Sequence, residues 1–134
     1  MQLINYEAFL SAKDALTFEE CQNIHQTILN NTGNDEEILE VWSEFLQASI
    51  SYAHIRSQWL LWEREERQQK DEGRTAKHER VIYCLKLLSR YLGQEGVDVS
   101  WFDAIEDNRK QIGDFACYIA YIYSINARLK MQAD

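Results

Sequence analysis

Apolar residues recur at three- and four-residue spacing along almost the whole chain, and that periodicity predicts helices rather than strands. Residues 5–15 place Tyr6, Phe9 and Leu10 on one side of a short helix begun by Asn5. Thr17-Phe-Glu-Glu20 has the form of a capping box, in which hydroxyl and carboxylate satisfy each other's free backbone donors. A second helix starts there, with Phe18, Cys21, Ile24, Ile28 and Leu29 at helical spacing, and Asn30-Asn-Thr-Gly33 is its stop.

The strongest pattern begins at Asn34 or Asp35 and meets no glycine or proline before Gly73. Counting Ile38 as heptad position a places Ile38, Phe45, Tyr52 and Trp59 at a, and Val41, Ala48, Ile55 and Trp62 at d, with Trp42 widening the apolar arc at e. One long helix near 35–72 is predicted. If straight it would reach about 57 Å, whereas a domain of this length has a diameter of roughly 36 Å. Such a helix must break, project into solvent, or be covered by a second subunit. Leaving Trp59, Leu60, Leu61 and Trp62 bare costs about 1.5–3 kcal/mol for each side chain, so a homodimer is expected, with Tyr52, Ile55, Trp59 and Trp62 at its interface. The alternative is a break near Ser49-Ile-Ser51 or at the charged run after Trp62.

That run, EREERQQKDEGRTAKHER, mixes both signs and reads as a solvated helix or a connection. A fourth helix is predicted over 76–92, then a loop at GQEGVDVSW, a short helix at 101–106 capped by Ser100, and a last helix over 108–130. The last is apolar on nearly every side, which places it at the centre. Gly113, Ala116, Ala120 and Ala127 would let a neighbour approach closely. The fold class is therefore all-α: one domain over 1–134, an antiparallel bundle of four main helices plus one or two short ones.

Composition sharpens this. The chain has no proline, and its net charge of −8 is unevenly placed. Residues 1–50 hold nine carboxylates against Lys13 alone, while residues 51–134 are balanced. Nucleic-acid binding requires cations to neutralise phosphates, so a nucleic-acid partner is not expected. A basic protein partner suits the acidic third better. The uncharged stretches are too short to cross a bilayer. Single, scattered Cys21, Cys84 and Cys117 suit reduced thiols in a cytoplasmic setting.

Candidates for chemistry are sparse. His25, His54 and His78 form no metal-ligand spacing, and no cofactor or metal is expected. Glu37–Glu40 and Glu63–Glu66 each read ExxE, as in magnesium-dependent all-α enzymes, but on one helix the pairs would lie roughly 39 Å apart and could not share an ion. Asp114 is the anomaly, a carboxylate within RKQIGDFACYIAYIYSI. A buried aspartate needs a partner, and Arg109, Lys110, His78 and Arg80 are the candidates. The chain is accordingly read as a protein-binding, accessory or immunity-type factor that offers Glu37, Glu40 and Glu44 to its partner, without an assigned catalytic residue. The competing reading is an enzyme or small-ligand binder with a pocket near Asp114 and Tyr118, flanked by Tyr121 and Tyr123.

Overall fold

The computed structural model describes residues 16–33, 35–59 and 61–133, with side chains as far as Tyr123. The short helix expected at 5–15 and the contact expected from Ala127 lie outside the described residues and side chains. Among the described residues the chain forms five helices and no strand: α1 (Phe18–Thr32), α2 (Glu36–Trp59), α3 (Arg64–Gln94), α4 (Ser100–Ile105) and α5 (Arg109–Ala133). The all-α class is as the periodicity predicts.

Local chemistry sets most of the ends. The Thr17–Glu20 capping box forms in both directions, and Gly33 ends α1 at a positive φ of 52°. Asp35 Oδ1 accepts the backbone N–H groups of Glu37 and Ile38 at 3.0 and 3.2 Å, opening α2. α3 passes through Gly93 and ends where Gly96 takes a φ of 82°. Ser100, expected as a cap, is the first residue of α4; Asp98 Oδ1 just ahead of the helix accepts the Ser100 N–H at 2.9 Å, and this bond holds the Asp98 carboxyl below its ordinary value. Asn108 Oδ1 accepts the Gln111 N–H and opens α5.

The expected single helix over 35–72 is two helices. α2 stops at Trp59, and the chain turns so that α3 folds back along it. Leu61 N–H bonds to the Gln58 carbonyl at 2.9 Å, and Arg67 Nε donates to the freed Trp59 carbonyl at 2.7 Å, so a guanidinium closes the end of α2. The charged run after Trp62 is the first half of α3, which therefore begins twelve residues earlier than the predicted 76. The contacts Glu44–Arg80, Tyr52–His78 and Trp59–Arg74 descend along one helix as they ascend along the other, so the pair is antiparallel. Tyr52, expected at a dimer interface, is 2 % exposed within the protomer's own core. Ile55, Trp59 and Trp62 are half-buried, and Arg74 and Lys70 of α3 stand over the two indoles at 4.4 and 5.8 Å. The fold-back lets α3 cover Tyr52 fully and Ile55, Trp59 and Trp62 in part, while Leu61 stays 67 % exposed, so a single straight helix no longer forces a second subunit.

α5 touches all four other helices and supplies the fully buried Ile112, Phe115, Ala116, Cys117, Ile119 and Ala120, as its apolar sequence predicts. It runs antiparallel to α2, pairing Trp42 with Tyr123, Phe45 with Phe115 and Arg56 with Asp114. α2 thus opposes both α3 and α5, and these two run in the same direction. Residues 95–108 return the chain from the end of α3 to the level of His78, and α4 on this return buries Phe102 and Ile105.

The close approach of α5 to α2 depends on Gly113. A Cβ there would lie 2.9 Å from both Tyr52 Oη and Arg56 Nη1, two side chains that are themselves held in place. Gly113→Ala should therefore destabilise the fold by about 1–3 kcal/mol from overpacking, although alanine is intrinsically the better helix former by about 1 kcal/mol. Urea unfolding of the variant decides between the two effects, and a gain in stability would show that Tyr52 and Arg56 yield freely.

Candidate functional site

The carboxylate that the sequence marks as anomalous is the polar centre of the fold. Asp114 is 3 % exposed on the first turns of α5. Its Oδ1 accepts from Arg56 Nη2 at 2.7 Å, and its Oδ2 accepts the backbone N–H of Leu16 at 3.2 Å. Lys110, one turn earlier on α5, stands 3.7 Å away with its ammonium part-exposed. Of the expected partners only Lys110 is near, at long range, and Arg56, which was not among them, takes the main role. Arg109 turns away to pair with Glu79 of α3, and Arg80 pairs loosely with Glu44 at 3.6 Å.

From Asp114 the network continues across the bundle. Arg56 Nη1 reaches Cys117 Sγ at 3.8 Å, and its guanidinium stands 6.0 Å from the centre of the Tyr52 ring. Tyr52 stacks on His78 of α3 at 4.8 Å, and His78 Nε2 donates to the Arg109 carbonyl at 2.9 Å, returning the path to α5. Burial pushes the Cys117 thiol up to about 12, so it is protonated and a poor nucleophile. Cys21, Cys84 and Cys117 are all free and buried.

A second cluster joins α1 to the rest. His25 shares a 2.8 Å hydrogen bond with the Tyr123 hydroxyl, stacks on Trp42 and meets the edge of Tyr118, while Phe18 packs edge-on against Tyr118. Tyr118 is buried, Tyr121 and Tyr123 are half-buried, and His54 is exposed. Trp42 and Tyr52 are core residues, as their spacing suggests, whereas Trp59 and Trp62 sit at the surface corner.

The acidic candidates lie elsewhere. Glu37 and Glu40 are exposed near the start of α2; Glu44 is half-buried beside Arg80. Glu63 and Glu66 are also exposed, and all of α2 separates them from Glu37 and Glu40 even though the helix breaks. Among the described residues no three His, Cys, Asp or Glu side chains converge in a way that could hold a metal ion. None of the helices searched is long and apolar enough to cross a membrane. The chain matches no family model, no curated protein and no solved structure.

Two outcomes follow from the network. Asp114→Ala strands the Arg56 guanidinium, which is 12 % exposed, and should lower the unfolding free energy by about 3–5 kcal/mol. Asp114→Asn, which keeps an acceptor for Leu16, should recover part of this; a loss below about 0.5 kcal/mol for the alanine variant would place the carboxylate outside the core. The second concerns pH. Burial lowers the pKa of His25 and of His78 from 6.5; at His78 the bond to the Arg109 carbonyl opposes this, and Arg109, Arg56 and Arg74 reinforce it. The unfolded chain therefore binds protons more readily than the folded one as pH falls through 6.5, so these rings stabilise the fold above that pH and cost stability below it. Urea midpoints should fall between about pH 7 and pH 5, less steeply for His78→Gln; an unchanged slope in the variant removes His78 from this account.

Proposed function

We propose that this chain is a protein-binding factor whose acidic face, formed by α1 and the first turns of α2, docks a basic partner protein. The observation that carries the reading is a stretch of chain, α1 and the first turns of α2, with charge of one sign. Between residues 16 and 55 every Asp, Glu, Lys or Arg is a carboxylate: Glu19, Glu20, Asp35, Glu36, Glu37, Glu40 and Glu44. All are exposed or half-exposed, and Phe18, Leu29 and Leu39 stand among them with more than two fifths of their surface in solvent. Carboxylates around a few exposed apolar side chains supply steering and anchoring together. Free, buried thiols suit work in a reducing cytoplasm.

The ligand-binding alternative draws on Asp114 and Tyr118. Both oxygens of Asp114 are engaged by Arg56 and Leu16, and Tyr118 is buried against Phe18 and Phe115, so neither offers a free polar anchor. The interaction reading is preferred on that ground.

Reversing Glu37 and Glu40 to lysine tests it. Both side chains are exposed, so helicity and unfolding midpoint should hold within about 0.5 kcal/mol. Capture of the partner from an extract of the native cell should be lost. Adding Glu44→Lys should weaken capture further, while also setting a second cation beside Arg80. Equal capture by wild type and the double variant would remove this face from consideration.

A further inference from the structure

α2 and α3 border an open cleft whose lining is rich in hydrogen-bond donors. Glu44, Gln47, Ala48 and Ser51 stand at three- and four-residue spacing and so share one face of α2. Lys77 and Arg80, three residues apart on α3, meet them across a cavity of about 250 Å³. Lys77 brings an ammonium, Arg80 a guanidinium fork, and Ser51 and Gln47 a hydroxyl and an amide. Against these donors Glu44 is the only carboxylate lining the cleft.

The two cations are not tied up in holding the fold. Lys77 is half-buried, yet no carboxylate among the described residues pairs with it. Its α3 neighbours are engaged elsewhere: Arg74 lies over Trp59, and Glu79 turns to Arg109. Arg80 has Glu44 at 3.6 Å, beyond the reach of a charge-assisted hydrogen bond. The Tyr83 ring lies 5.8 Å from its guanidinium carbon, a contact with the face of the group that leaves its N–H edge available. Two positive charges against one leave the cleft a single negative charge short of balance.

We propose that this cleft binds a small monocarboxylate, with its oxygens taken by Lys77 and Arg80 and its short carbon chain lying over Ala48. A planar two-oxygen anion matches the guanidinium fork, and a single charge completes the balance. A phosphate dianion would set a second negative charge beside Glu44. Ala48 is the one apolar residue in the lining. The volume lies below the roughly 300–1,000 Å³ of pockets that enclose drug-sized molecules, which limits the occupant to a few carbon atoms. Glu37 and Glu40 are not part of the cleft, so this site and the acidic face can fail separately.

Titration of the intact, isotope-labelled protein with sodium butyrate at constant ionic strength, followed by amide NMR, tests the cleft. Saturable shifts are expected at Gln47–Ser51 and Lys77–Arg80, against sodium chloride as the matched salt. Lys77→Met keeps the aliphatic stem and should raise the dissociation constant roughly tenfold or more, with the rest of the spectrum showing that the fold is kept. Arg80→Lys keeps the charge but loses the fork and should weaken binding severalfold. Glu44→Gln removes the competing carboxylate and should tighten it. Lys86→Met, on α3 but outside the cleft, should leave it unchanged. Shifts that do not saturate, equal binding by Lys77→Met, or weaker binding by Glu44→Gln overturns the proposal. So does tighter binding of inorganic phosphate at the same amides, which would make the occupant a phosphate.

Discussion

Arg56 and Asp114 hold together three parts of the chain that are far apart in sequence. The carboxylate receives the α2 guanidinium on one oxygen and the backbone N–H entering α1 on the other, while sitting on α5 itself. Such a pair adds little net stability compared with well-packed apolar residues, because removing both charges from water is costly. Its effect is on specificity. A slip of α5 by one turn along α2 would leave both charges buried and unpaired, and Gly113, one residue earlier, permits the close approach that the contact needs. Tyr52 and His78 then extend the same register to α3.

Most of the fold could be read from the sequence because its signals are local. The Thr17–Glu20 box, the Gly33 stop and the central apolar helix depend on neighbouring residues alone, and they appear as expected. The break before the charged run is legible only as an alternative, because no glycine or proline makes it; a guanidinium from the next helix caps it after Trp59. The first half of α3 was misread for a related reason. Its inward face is made of cations over indole rings, so a hydropathy pattern sees only a charged run, although the three- and four-residue spacing of Arg64, Arg67, Lys70, Arg74 and Lys77 continues directly into Val81 and Leu85.

Asp114 was visible as an anomaly, but its partner was not. The cations that spacing brings to mind are Arg109 and Lys110 beside it and His78 and Arg80 of the preceding long helix. Arg56 sits at heptad position e, in the same column as Trp42 and Ser49, and both of those are buried. The packed seam of α2 follows a and e rather than a and d, and that shift would have pointed Arg56 inward. The acidic face needed no such inference, since exposure of Glu37 and Glu40 follows from their place outside the apolar arc.

The bond between Leu16 and Asp114 spans 98 positions of sequence. During synthesis α1 leaves the ribosome well before α5, which supplies part of the surface it packs on. At about 5–20 residues per second, roughly 5–20 seconds separate the two. The α2–α3 hairpin, whose contacts lie within a shorter stretch, is free to close in that interval. α1, with Cys21, Ile24 and Ile28 along its inner side, waits as an amphipathic segment with only the α2 part of its packing surface in place. The order of emergence thus leaves an early apolar stripe in need of protection until α5 is complete.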